Sequence, residues 1–426
     1  MNLKLKNIGM IKEADVKLNG LTVIAGENDT GKSTVGKSLF SLIKTTEMCR
    51  GAFFYSVRNR QILYNLENFK NLLNFISKNK QEYDENANKV NMLKEKITKL
   101  LENKYINIDK KKEIENIFKK IDFKNNEIKK HFLKLKEDIL KFFDFKYKDD
   151  FRIGTLKKII NYLFDGEITN KNSTESKIEL ATLSKNTTVI FRNNEIVKFY
   201  DGGKIFTDAT YIDSPVIFQL IDLLNEEEIA SKEYIPTIKD LKRKLSGLSF
   251  DPRDFELEKS FDLLIEKISQ IINGEVIVKS GKFEFKRNNM TYSIKNTATG
   301  IKSFGILMML LKKRWLLRNS ILILDEPEVH LHPKWQLLYA KIIVKMVKQN
   351  YFSILVNSHS PYIIEALKKY AELYKLENID FYLAENEKIF KIEDSNALTL
   401  ERIFQKLSAP FNEFDKIDEQ LMEKNG

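Results

Sequence analysis

The sequence predicts an α/β protein: parallel strands buried on both faces, an antiparallel β subdomain, and an inserted α-helical, coiled-coil-like arm. Three observations predict it. Residues 321–324 and 353–357 are short apolar runs joined by a helical stretch at 334–349, as in parallel strands buried on both faces. The segment "TTVIFRNNEIVKFYDGGKIF" alternates β-type residues, with turn signals at Asn193-Asn194 and Asp201-Gly202-Gly203, as in antiparallel hairpins. Between Gly51 and Gly154 there is neither glycine nor proline, and apolar residues recur at three- and four-residue steps, as in Met92, Leu93, Ile97, Leu100 and Leu101.

Taken in order, the start "MNLKLKNIGM" lacks the apolar core of a signal peptide and reads as a strand. Residues 21–25 form a second, wholly apolar strand, and residues 34–43 continue as a helix. The arm follows, and after it the hairpins and "ATYIDSP", which closes on Pro215, the first proline of the chain. Short strands are expected within 274–294, and a helix over 306–317. Boundaries therefore fall near 56, 170, 240 and 400. Residues 1–56 and 241–400 form the head, 57–170 the arm, 171–240 the β subdomain with its return to the head, and 401–426 a helical tail.

Composition narrows the classes. The 426 residues suffice for a full core, and 42% hydrophobic with 31% charged residues describes a soluble globular chain. No apolar run reaches the roughly 18–20 residues that span a bilayer; the richest, at 306–311, is cut short by Lys312, Lys313 and Arg314. A single cysteine, Cys49, excludes an internal disulfide framework and fits a reducing cytoplasm. The net charge of +11 admits a polyanionic partner such as DNA. Lysine, asparagine and isoleucine are abundant throughout, however. The arm's excess over 61–150, 21 basic against 16 acidic residues, also fits an ordinary solvated helix face.

The chemistry concentrates in "SILILDEPEVHLHPKW", where a buried strand runs into Asp325 and Glu326 and then Glu328, His330 and His332. A solvated turn, a zinc cluster and half of a nucleotide site are the three readings. Zinc lacks partners, because Cys49 and His131 give no ligand spacing. The other half of a nucleotide site lies upstream, in "LTVIAGENDTGKSTVGKSLF". Gly26-x-x-x-x-Gly31-Lys32-Ser33 is the P-loop pattern, placed between a strand and a helix as that pattern requires. Its glycines let the backbone N–H groups of Asn28, Asp29, Thr30 and Thr34 face phosphate oxygens, and the helix adds its positive end. Lys32 reaches the β- and γ-phosphates, and Ser33 places a hydroxyl on Mg²⁺. Asp325, at a strand end, supplies the second metal anchor, and Glu326 faces the attacking water as general base. Asp325 lies 299 residues after Gly26, so a large insertion interrupts the fold. Ser303-Phe304-Gly305 is expected to open a helix 22 residues before the acid, and His359 closes the next strand 34 residues after it. A decoy, "LSGLSF" at 245–250, is followed by Asp-Pro instead of a helix and reads as a turn.

This order of "LTVIAGENDTGKSTVGKSLFS", "TATGIKSFGILMMLL", "LILDEPEVHLHP" and "VNSHSP", with "YIDSP" as a weaker fifth, resembles ABC-type P-loop ATPases. The resemblance is to the non-transporter RecF/Rad50/OLD-like branch. More narrowly it is to phage-defence ATPase subunits of Septu-, PARIS- and retron-associated systems. It implies ATP and Mg²⁺ as ligands: Lys32 and Ser33 on phosphates and metal, Asp325 on the metal, Glu326 as base and His359 sensing the γ-phosphate. It implies that Ser303 and Gly305 act in trans, on the nucleotide of a second head in a homodimer or higher oligomer. The signature lacks a double glycine, and no clear Q-loop glutamine stands out, Gln219 being one candidate. OLD-type proteins continue into a Toprim nuclease, but only 67 residues follow His359 here, without an acidic pair. The expectation is an ATP hydrolase without a nuclease site of its own, holding a separate HNH or Toprim effector. The alternative is a repair or chromosome-maintenance ATPase whose arm binds DNA directly. A transporter subunit is disfavoured by the long insertion, and no membrane partner is expected.

Overall fold

The computed structural model describes the chain except residues 50–51, 103–108, 204, 214, 216, 221–235, 248–254, 280, 317, 350–351, 410–416, 418–419 and 422–426. It divides into two compact units, one of residues 1–44 and 156–426, the other of residues 45–155.

The first unit is built on a sheet of eleven strands among the described residues. In chain order they are β1 (Asn2–Ile8), β2 (Ile11–Lys17), β3 (Leu21–Ala25), β4 (Glu175–Ala181), β5 (Asn186–Arg192), β6 (Glu195–Asp201) and β7 (Ala209–Ile212). A separate three-stranded sheet holds β8 (Glu275–Lys279), β9 (Lys282–Arg287) and β10 (Met290–Ser293). The main sheet then gains β11 (Ile321–Asp325), β12 (Ser353–Ser358), β13 (Ile379–Glu385) and β14 (Lys388–Phe390). Their spatial order is β6-β5-β4-β1-β2-β14-β13-β3-β12-β11-β7. From β13 to β7 all neighbours pair in parallel, whereas β1 with β2 and β4, and β5 with β4 and β6, are antiparallel. The expected hairpin turn at Asn193-Asn194 is present, with φ of 48° and 67°, the left-handed pair that a two-residue turn between twisted strands needs. Asn288-Asn289 repeats the device between β9 and β10, at 47° and 59°.

The parallel strands are apolar on both faces because the unit has a core on each side. Leu21, Val23, Leu322, Leu324, Ile354 and Val356 point into one cluster. Their neighbours Ile24, Ile321, Ile323 and Leu355 point into the other. This is the two-residue period of a strand, read twice. The second cluster is closed by α1 (Lys32–Met48) through Val35, Leu39, Phe40 and Ile43.

The second unit has its own core. The chain passes through α2 (Ala52–Ile76), α3 (Lys80–Glu102), α4 (Lys110–Lys119), α5 (Asn126–Lys141) and α6 (Phe145–Leu163). Val90, Leu93, Ile97 and Leu101 form the buried stripe of α3, while Met92 points outward. Phe69, Phe118, Phe123 and Phe132 meet edge-on or tilted at its centre. Asn125 and Asp109 cap α5 and α4 by accepting from two backbone N–H groups each.

Beyond β7 come α7 (Ile217–Leu220), α8 (Pro236–Ser246), α9 (Phe255–Ile272), α10 (Thr299–Lys312), α11 (Pro333–Gln349), α12 (Pro361–Leu373) and α13 (Asn396–Ser408). The helix expected over 306–317 instead spans Thr299–Lys312. Arg314, in the left-handed region at φ 57°, stops it, and the Trp315 N–H turns back to the Leu310 carbonyl. Of the tail expected over 401–426, residues 401–408 belong to α13, and much of the rest lies outside the described residues. Leu245 and Ser246 of the decoy end α8, and residues 248–250 lie outside the described residues.

A buried ring of four charges ties three of these elements together. Lys44 of α1 and Lys244 of α8 both pair with Asp208, just before β7, and with Asp240 of α8. All four side chains are at most 9% exposed. Burial pushes Asp208 and Asp240 up, but Lys244 and Lys44 more than reverse it and hold both below the usual aspartate value.

Candidate functional site

β3, β11 and β12 are adjacent and parallel, so their C-terminal ends converge at one edge. In an open parallel sheet that edge is where ligands bind, since the loops leaving neighbouring strands diverge there. The loop 26–31 leaves β3 at this edge and enters α1 directly. Asp29 at φ 64° and Gly31 at φ 84° wind it. Thr30 Oγ1 donates to the Glu27 carbonyl at 2.9 Å, and the Thr34 N–H to that of Gly31 at 3.0 Å. Asn28 lies exposed on the outside of the loop. Lys32 is buried, its ammonium donating to the carbonyls of Gly26 at 3.0 Å and Glu27 at 2.5 Å. Burial lowers its pKa, while Glu326, Glu328, Asp325 and Glu27 oppose the shift.

Ser33 and Asp325, 292 positions apart, meet in a single hydrogen bond, Ser33 Oγ to Asp325 Oδ1 at 3.1 Å. Asn357, at the same level on β12, donates to the same oxygen at 2.9 Å. Tyr211 of β7 donates its phenol to Oδ2 at 2.5 Å. The carboxylate is thereby held from three elements and is only 8% exposed. Gly36 of α1 makes room for this: a Cβ there would stand 3.1 Å from Tyr211 Cε2 and 2.9 Å from Ile323 Cγ2. Glu326 takes φ 50°, unusual for a non-glycine residue, and its N–H still bonds the Asn357 carbonyl at 2.9 Å. Its half-exposed side chain stands 3.5 Å from His359 Nδ1. Sequence-expected Lys32, Ser33, Asp325, Glu326 and His359 are thus brought together.

Ser303 and Gly305 are not where they were expected. Because α10 starts at Thr299, both lie in its second turn, inside the protein. Ser303 Oγ bonds back to the Thr299 carbonyl at 3.2 Å, and the residue lines a narrow crevice with Asp325 and Glu326 of its own chain. Gly305 faces the core, where a Cβ would stand 2.7 Å from Val276 Cγ2. The first turn hides in "NTATG", which reads as a loop; burial of Ile301 and Phe304 against Trp335 and Tyr339 makes it helical. Its opening is capped by no side chain, and Thr299 and Gly300 are its accessible residues. Gln219 falls in α7, its side chain outside the described residues. His330, at φ 64°, is exposed, and His332 Nδ1 accepts from the Lys334 N–H at 3.3 Å at the start of α11.

The residues suit a magnesium-bound nucleoside triphosphate. A wound loop of N–H groups lies at a helix start, and a hydroxyl and a carboxylate stand within hydrogen-bond distance of each other. Fold and site together define a P-loop ATPase domain. A family model described as the AAA ATPase domain matches residues 1–364, and the chain belongs to that family. No curated protein matches it. Among solved structures it is similar to the SMC head domain from Thermotoga maritima, at 11% identity over 92% of this chain and 98% of that one, with a TM-score of 0.36. It is also similar to an SMC head bound to the C-winged helix domain of ScpA, at 11% identity over 91% and 96%, TM-score 0.39. A third is the Smc head domain with an extended coiled coil bound to the C-terminal domain of ScpA derived from Pyrococcus furiosus, at 11% identity over 96% and 98%, TM-score 0.40. At these scores the likenesses carry no functional weight. Among the described residues no helix is long and apolar enough to cross a membrane.

Proposed function

We propose that this chain is an ATP-driven switch whose heads close in pairs on ATP and part on hydrolysis, and that it controls a separate effector nuclease in defence against phage. The observation that carries the hydrolytic part is Ser33 hydrogen-bonded to Asp325, with Glu326 and His359 beside them. The P-loop N–H groups and Lys32 hold the phosphates, and Ser33 and Asp325 hold Mg²⁺. The metal, when bound, neutralises charge on the phosphate oxygens. Glu326, turned out of the strand, accepts the proton of the attacking water, and His359 contacts the γ-phosphate. The trans contact, assigned from the sequence to Ser303 and Gly305, passes in this reading to the uncapped first turn of α10 at Thr299 and Gly300, whose free N–H groups suit a phosphate. The defence setting and a nuclease of HNH or Toprim type rest on the "DEPEVHLHP" resemblance.

Glu326→Gln tests the cycle. It retains ATP, accumulates the closed dimer in light-scattering chromatography, and loses turnover by about 10² to 10⁴-fold, the range of a lost general base. Wild-type turnover in this variant removes Glu326 from the mechanism.

A further inference from the structure

Glu328 has no place in the nucleotide reading so far, yet its surroundings are unusual. Its side chain is 3% exposed, and among the described residues no lysine or arginine pairs with it. A carboxyl buried without a cation is costly unless donors surround it. Here the donors are concentrated on one oxygen. Oε1 accepts from Ser358 Oγ at 2.7 Å, from the His359 N–H at 2.8 Å and from the Ser360 N–H at 3.2 Å. They come from the last residue of β12 and from the turn that follows it, the turn that carries His359. Ser360 Oγ is fixed in addition by Gln336 of α11 at 2.6 Å. Two consecutive peptide N–H groups therefore point at a single atom, and the backbone of His359 cannot rotate without breaking one of them. The imidazole lies between two carboxylates, its Nδ1 3.4 Å from Glu328 Oε1 and 3.5 Å from Glu326 Oε1. Among the described residues neither His359 Nδ1 nor Glu328 Oε2, both buried atoms, has a hydrogen-bond partner. The side chain that anchors the turn is thus also the one beside the ring nitrogen.

We propose that Glu328 is a positioning residue for His359, gripping its backbone and orienting its imidazole so that the opposite ring edge meets the nucleotide. The proposal rests on the hydrolytic reading above and assigns Glu328 a step in it. Its role is distinct from that of Glu326: Glu328 acts through the histidine and touches no reacting atom. Glutamine keeps one oxygen for the turn's donors, the atom that also lies nearest Nδ1, so Glu328→Gln removes the carboxylate charge from beside the ring while leaving those donors satisfied. Aspartate, one methylene shorter, draws the turn and the ring away.

The test is a double-mutant cycle on the full chain with Mg²⁺-ATP: wild type, Glu328→Gln, His359→Ala and the pair, each with kcat and KM. Glu328→Gln lowers kcat on the order of tenfold to a hundredfold, the effect of a displaced catalytic group. Its KM stays within about threefold, and adding Glu328→Gln to His359→Ala costs nothing further, because both act through one ring. Imidazole ¹⁵N signals of His359 shift in Glu328→Gln, and Glu328→Asp, folded by circular dichroism, has a kcat between those of wild type and His359→Ala. Losses that multiply in the double variant, or a change confined to KM, overturn the proposal. Glu326→Gln run alongside separates the two failures. If it hydrolyses normally, the general-base reading falls; if it traps ATP while the Glu328 and His359 losses multiply, this inference alone falls.

Discussion

Replacing Tyr211 by phenylalanine removes one oxygen from the proposed metal site and leaves the ring where it packs, edge-on to Phe40 at 5.9 Å. The lost atom is the donor at 2.5 Å to Asp325 Oδ2, while Ser33 and Asn357 both serve Oδ1. Burial, and secondarily the charge of Asp325, pushes the phenol well above its ordinary pKa, so it remains a donor at every working pH. A hydrogen bond to a charged acceptor contributes about 1.5–3 kcal/mol, or roughly ten- to 150-fold in an equilibrium constant. That span matches the ten- to 100-fold or so by which groups behind metal ligands tune affinity. The half-saturating Mg²⁺ concentration for ATP turnover should rise by such a factor in Tyr211→Phe, with kcat at saturating Mg²⁺ recovering to near wild type. The assay is a Mg²⁺ titration at fixed ATP. An unchanged Mg²⁺ requirement would falsify the claim that Tyr211 orients the metal ligand, and a loss of turnover that no Mg²⁺ restores would show that the phenol does something else.

Three further outcomes follow from the packing. Lys244→Met leaves Asp208 and Asp240 one cation short inside the core and should cost about 3–5 kcal/mol of stability, read as a lower urea midpoint; an unchanged midpoint would show that the ring contributes nothing. Because Asp208 is held below its ordinary 3.8, its contribution is present above that pH and drains away as pH falls toward the lower folded value. Asp208→Asn should therefore flatten the loss of stability below about pH 4, and an acid limb as steep as wild type would count against the pairing. In the second unit, Phe132→Ala removes a ring shared by Phe69, Phe118 and Phe123 and should cost about 3–5 kcal/mol, seen as early loss of helical signal on heating.

Much of the site was legible because its chemistry is local. The P-loop must be a glycine-wound turn between a strand and a helix, and that requirement is written in eight consecutive positions. Asp325, Glu326 and His359 stand out because charged and polar groups at the ends of apolar runs have no other reason to be there. Where reasoning from neighbours failed, the missing term was tertiary. The first turn of α10 has loop-like letters, and only burial of Ile301 and Phe304 makes it helical, which moved Ser303 and Gly305 from a helix opening into the core.

The sequence by itself determined the strand, loop and helix over residues 21–43, the two-faced burial of the parallel strands and which lysine is proposed to meet phosphate, since these depend on periodicity and on backbone freedom within a few residues. The tertiary structure alone decided which atoms hold Asp325 and His359. Tyr211, Gly36, Asn357 and Glu328 lie inside the quoted motifs but receive no role from their own segments; contacts arise because strands and loops remote along the chain end at one edge of the sheet. A hydrogen bond depends on a few tenths of an ångström and on direction, and no spacing along a polypeptide encodes either.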